Sequence, residues 1–226
     1  MTWIEVAWIG MSAASLTLGV IHLFVWVRHR SHPAHLLFFT LAASATAVGA
    51  LELAMTRAPS AAAYAHTLRW AHVPLAVMVL SIVWFVYFHL GTGRLWLAWA
   101  ASGFRLLGLA FNFLTGVNVN FHEVSSLQSF RLWGDAVMVG PVGITNPWAV
   151  VPQIGNLLLI IFVIDASVTL WRRGGVDARR RAAVVGGGVV ACIIAIVGFG
   201  VLMTFGWVHA PTMVMPGVFI IVLAMG

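Results

Sequence analysis

Long apolar runs separated by short polar links dominate the pattern along the chain. Seven runs stand out, at about 3–27, 36–55, 70–90, 95–114, 148–171, 183–204 and 208–225. Each approaches the roughly 20 apolar residues that a helix needs to cross a bilayer. The expected fold is therefore an all-α membrane protein, a seven-transmembrane helix bundle forming a single domain over 1–226.

Charge in the links sets the expected orientation. The links at 28–35, 91–94 and 172–182 hold Arg28, Arg30, Arg94, Arg172, Arg173, Arg179, Arg180 and Arg181, whereas the opposite side holds Arg57, Arg69 and Arg131. Arginine-rich short loops stay in the cytoplasm, so the N-terminus is expected outside and the C-terminus inside. Trp3, Trp26, Trp70, Trp96, Trp148, Trp171 and Trp207 fall at the ends of the runs, where an indole prefers the headgroup level. Asn146-Pro147-Trp148 reads as a helix start, with Asn as N-cap and Pro at the first position. The first run has no basic leader or small-residue cleavage site, and is expected to be a retained helix.

One link is out of proportion. Residues 115–147 join runs four and five on the outer side and contain Asn118, Asn120, His122, Glu123, Arg131 and Asp135. Long links without structure are uncommon unless functional, so this one is expected to fold back as a lid over the outer mouth.

Composition narrows the chemistry. With 62% hydrophobic and 8% charged residues, the chain falls outside the range of soluble domains. All twelve basic residues are arginine, so no lysine Schiff base, and hence no retinal linkage, can form. Cys192 is the only cysteine, which excludes an internal disulfide. The calculated pI near 11.3 reads as membrane topology and not as nucleic-acid binding. No Ser-His-Asp, HExxH or paired-carboxylate motif is present, and Gly186-Gly187-Gly188 has neither the lysine nor the strand of a phosphate loop.

Ionisable and polar residues within apolar helices are costly, which makes them the candidates for function. Counting about 1.5 Å per residue from the cytoplasmic ends places Arg105 roughly 15 Å up run four and Asp165 roughly 9 Å up run five. An Arg105–Asp165 ion pair, serving as a lock or a switch, is the first expectation. The same count brings Glu52, His72, Asn112, Gln153 and Asn156 to roughly 22–27 Å, in the outer part of the bilayer. They are expected to line a ligand-binding cavity, with Arg69, Arg105, Asn118 and Asn120 as further ligand-binding candidates. Among the histidines, His66, His72, His122 and His209 form a candidate outer metal set, and His22 and His89 are candidate axial ligands of a haem. Neither set has diagnostic spacing. His29, His32 and His35 are expected to contact headgroups.

Several stretches resemble a known family. Arg69-Trp70-Ala71-His72-Val73-Pro74, Gly91-Thr92-Gly93-Arg94-Leu95-Trp96-Leu97, and Asn112-Phe113-Leu114-Thr115-Gly116 with Asn118 and Asn120 are similar to the N-terminal seven-helix region of PAS-containing bacterial sensor histidine kinases. Asp165-Ala166, Trp171-Arg172-Arg173-Gly174 and Ile221-Val222-Leu223-Ala224-Met225-Gly226 carry the same likeness. The resemblance implies an input module in the bacterial inner membrane, passing a small-molecule signal through its last helix to a cytoplasmic transmitter, and dimeric in its native context. The chain stops where that family continues, so kinase activity is not expected of these residues. Two other classes fit the polar residues: a haem-, quinone- or metal-binding redox protein, and a small-solute transporter.

Overall fold

The structure, a computed structural model, describes residues 2–132, 136–204 and 214–226. The helices are α1 (Trp3–Arg28), α2 (Pro33–Thr56), α3 (Ala61–Leu90), α4 (Leu95–Leu114), α5 (Val150–Arg173), α6 (Val176–Arg181), α7 (Gly188–Thr204) and α8 (Met215–Met225). A π-helical turn over Ala182–Gly187 joins α6 to α7. Among the described residues, six helical segments are long and apolar enough to cross a membrane, the sixth running from Val176 to Gly198. Neither the expected seven-span count nor the orientation is decided by these helices, because the run at 208–225 lies partly outside the described residues and its described part, α8, has 11 residues.

Local chemistry explains the helix ends. Thr2 and Glu5 form a capping box at the start of α1, with Glu5 N–H donating to Thr2 Oγ1 at 3.4 Å and Thr2 N–H to Glu5 Oε2 at 3.0 Å. Arg57, just past α2, donates through Nη2 to Glu5 Oε1 at 2.7 Å and so ties the end of α2 to the start of α1. Ser60 caps α3 by accepting from Ala63 N–H at 3.2 Å. This cap starts α3 nine residues before the expected boundary at 70. Hydropathy marks where a helix enters lipid, whereas the cap marks where it begins, and Arg69, His66 and Thr67 dilute the apolar signal between the two. At 30 residues, α3 is about 45 Å long, well beyond the ~30 Å of a hydrocarbon core. Asn146 caps the following helical segment as expected, its Oδ1 accepting from Trp148 N–H at 3.1 Å. Trp3, Trp70, Trp96, Trp148 and Trp171 are exposed, as an interfacial belt requires, and Trp207 lies outside the described residues.

The long link is neither loop nor coil. It forms an antiparallel hairpin of β1 (Phe121–Leu132) and β2 (Ala136–Thr145), with Leu127 opposite Pro141 and Leu132 opposite Ala136. A two-stranded ribbon is marginal alone, so its stability comes from what it packs on. Met138 is buried with Ile4, Trp8 and Met215, and Phe121, Leu127 and Val139 pack against Met55, Tyr64 and Leu68. The hairpin is thereby seated on the ends of α1, α2, α3 and α8. The main core lies below it, where α2, α3, α4, α5, the π turn, α7 and α8 bury Phe38, Phe85, Phe162, Leu41, Ile82 and Ile221.

Candidate functional site

The structure divides the expected outer cluster into three separate groups. Glu52, on α2 and 3% exposed, faces α1 and α8. Trp8 Nε1 donates to its Oε2 at 2.8 Å, Val214 N–H to Oε1 at 2.6 Å and Met215 N–H to Oε2 at 3.1 Å. The carboxylate therefore caps the first turn of α8, where the helix dipole favours negative charge. These three donors satisfy it. Gln153 and Asn156, half-buried on α5, bond each other: Asn156 Nδ2 donates to Gln153 Oε1 at 3.2 Å.

The third group is a polar node where α3 and α4 meet the base of the hairpin. His72 Nδ1 lies 2.8 Å from Leu68 O, which only accepts, so Nδ1 carries the proton. His72 Nε2 then accepts from Asn120 Nδ2 at 3.3 Å. Asn112 is fully buried, donating through Nδ2 to Arg69 O at 2.9 Å and accepting Val119 N–H on Oδ1 at 3.1 Å. Asn118 Oδ1 accepts from both Asn120 N–H and Phe121 N–H at 2.9 Å, closing an Asx turn. Gly116, at φ +57, supplies the left-handed residue that lets the chain turn there, and a Cβ at this position would sit 2.8 Å from His122 Cα. Asn146, which the sequence marks only as a cap, completes the node: its Nδ2 donates to Asn118 O at 2.9 Å and to Thr115 Oγ1 at 3.0 Å.

Arg69 stands at the edge of this node. Its Nη2 donates to Phe113 O at 2.6 Å, and its guanidinium lies 5.2 Å from the Phe113 ring. Beside it, an open cleft of about 270 Å³ runs between α3 and β1, lined by Ala65, His66, Arg69, Val117 and Glu123. The cleft thus offers a cation, an imidazole and a carboxylate within one small volume.

The Arg105–Asp165 pair does not form. Asp165 instead accepts Arg94 N–H on Oδ2 at 3.0 Å, and its Oδ1 lies 3.6 Å from Arg94 Nε. Nearby, Thr92 Oγ1 donates to Ala166 O at 2.8 Å. The expectation took the span ends as level, but α5 runs about two turns past the α3–α4 turn. Asp165 consequently lies level with the start of α4, about 16 Å below Arg105 along that helix. Arg105 itself is 8% exposed, and none of the described residues bonds its guanidinium. Ser102, one turn away on the same face and also buried, has no partner for its hydroxyl either.

The described histidines fall into separate places. Both ring nitrogens of His72 are engaged, His66 Nε2 accepts from Trp70 Nε1 at 3.3 Å, and His209 lies outside the described residues. Among the described residues no group of three or more His, Cys, Asp or Glu side chains is arranged to hold a metal ion. At the other end, His22 Nδ1 lies 3.1 Å from His35 Nδ1, so His35 belongs to the bundle and not to the headgroup surface alone. His22 packs on Phe38 at 4.0 Å, and His89 stacks on Phe85 at 4.9 Å.

No family model, curated protein or solved structure matches the chain. Its class, a chain whose described residues form six long apolar helical segments with a hairpin across one end, is that of a multi-pass membrane protein.

Proposed function

We propose that the chain is a transmembrane signal-input module of the bacterial inner membrane, with seven spans, the hairpin end outside and the last helix leading to a cytoplasmic output of the kinase type. In this reading a small ligand binds at the hairpin end, at the cleft beside Arg69 and the node of His72, Asn112, Asn118 and Asn120. The output attaches beyond α8, and the module works as a homodimer.

One observation carries the reading. Met138 of the hairpin and Met215, the first residue of α8, share one buried cluster with Trp8, directly under the Glu52 carboxylate that caps α8. A ligand that shifts the hairpin thus acts on the start of the last helix without an intermediary. Packed cores switch between discrete arrangements and do not deform continuously, which suits a two-state signal.

Fusing the chain to a histidine-kinase transmitter and measuring autophosphorylation in membranes tests this. Met138→Ala and Glu52→Gln, each acting on the hairpin–α8 joint, should change the output of the fusion while the protein still inserts and folds. Output identical to wild type in both variants would refute the reading.

A further inference from the structure

The hydrogen bonds around α3, α4 and the hairpin base are asymmetric in a way that bears on ligand chemistry. The side-chain acceptors of four node residues are taken: Asn112 Oδ1 by Val119 N–H, Asn118 Oδ1 by two backbone N–H groups, Asn146 Oδ1 by Trp148 N–H, and His72 Nε2 by Asn120. The buried side-chain atoms left without a partner are groups that donate: Arg69 Nε, Asn118 Nδ2 and the Ser102 hydroxyl. To these Arg105 adds a guanidinium with five N–H bonds and a full charge, 8% exposed.

The carboxylates that neutralise other arginines are committed elsewhere, Glu5 to Arg57 and Asp165 to Arg94, while Glu52 caps α8. A neutral water satisfies a stray N–H bond, but it does not offset a buried charge; that takes a counter-charge. Arg105 and Ser102 are three residues apart on the buried face of α4, so a fork of guanidinium donors and a hydroxyl point from one face. Gly155 of α5 packs within 3.3 Å of Arg105 N, measured from where its Cβ would stand, so α5 lies close against that part of α4.

We propose that Ser102 and Arg105 of α4 form a binding site for an oxyanion, a carboxylate or phosphate, gripped bidentately by the guanidinium and completed by the Ser102 hydroxyl. Planar forks of N–H donors match the two oxygens of such a group in both spacing and charge. The proposal rests on the sensor reading only in taking that anion as part of the signal; the site itself is defined by α4. A membrane amphiphile and a small soluble anion share this chemistry.

The test uses the full chain in phosphatidylcholine nanodiscs with three probes: decanoate, acetate and inorganic phosphate. The 15N shift of the Arg105 side chain and the thermal midpoint are followed against probe concentration. At least one probe should move the Arg105 signal saturably and raise the midpoint. Saturation by decanoate alone identifies an amphiphile, and saturation by acetate or phosphate identifies a soluble anion. Ser102→Ala should weaken the apparent affinity about tenfold, the loss of one hydrogen bond to a charged group. Arg105→Met should abolish the response and, with no probe present, melt at or above the wild-type midpoint, because an uncompensated charge has been replaced by an apolar chain of similar length.

No movement of the Arg105 signal with any probe overturns the site, and so does an equal response in Arg105→Met; the first criterion holds even if that variant fails to fold. In the transmitter fusion, binding at Arg105 without a change in output refutes the anion as part of the signal and leaves the site standing, whereas the sensor reading itself falls with wild-type output in the Met138→Ala and Glu52→Gln fusions. An output that responds identically in wild type and Arg105→Met refutes the site and leaves the sensor reading standing.

Discussion

Two buried charges sit in neighbouring parts of this bundle and are treated in opposite ways. Glu52, between α1, α2 and α8, accepts from an indole and two backbone N–H groups. Arg105, between α3, α4 and α5, has no bonded partner among the described residues, although it is nearly as buried. The first is a joint: its charge is spent on holding three helices in register. The second has no counter-charge bonded to it among the described residues, which marks the α3–α4–α5 side as the place where, in the proposed site, an outside molecule completes the structure.

Removing Glu52 sharpens that contrast most. Glu52→Ala leaves the Trp8 indole and the Val214 and Met215 N–H groups without their acceptor, and should cost about 3 kcal/mol or more of stability, measured by unfolding in mixed micelles. Loss of less than about 1 kcal/mol would mean that the joint is dispensable. Next comes the node that holds the hairpin. Asn112→Ala frees Arg69 O and Val119 N–H, and should cost about 2 kcal/mol and raise amide exchange at Val119 and Asn120, with α5 unaffected. A uniform rise in exchange over the whole bundle would instead assign Asn112 to the general core.

Smaller still is Asp165→Asn. Its bond to Arg94 N–H survives in weaker form and Arg94 is largely exposed, so the effect should stay within about 1 kcal/mol. A larger loss would return Asp165 to the status of a buried switch. The smallest effect belongs to Arg57→Ala at the surface, where the change should fade as salt is raised; an effect unchanged by salt would show that packing and not charge links Arg57 to Glu5.

The sequence made the helices legible because apolar length is a strong signal, and it located Asn146 as a cap because capping chemistry is local. Contacts between helices were another matter. Arg105 and Asp165 looked like partners only on the assumption of level span ends, which the overhang of α5 removes. Glu52 and Asn112 shared a depth but point to different neighbours, and depth along a helix says nothing about azimuth.

The hairpin was hidden for a different reason. Phe121, Val124, Leu127 and Phe130 recur every third residue, and register shifts between Phe121 and Glu123 and between Val124 and Ser126 break the alternation that identifies a strand. Ser102 carried no signal, since a serine in an apolar helix ordinarily bonds its own backbone. Only its neighbours in space show that it does not.

The Glu52 cap also has a consequence for how the chain is made. Its acceptor is synthesised 162 residues before the Val214 N–H that it receives. During synthesis the α1–α2 pair enters the bilayer with the carboxylate held by the Trp8 indole alone, and must wait for nearly the whole polypeptide before the bond is complete. A nascent chain stopped anywhere short of residue 214 carries a half-satisfied acid in its N-terminal hairpin. That is a built-in mark of unfinished assembly, erased only when the last helix arrives.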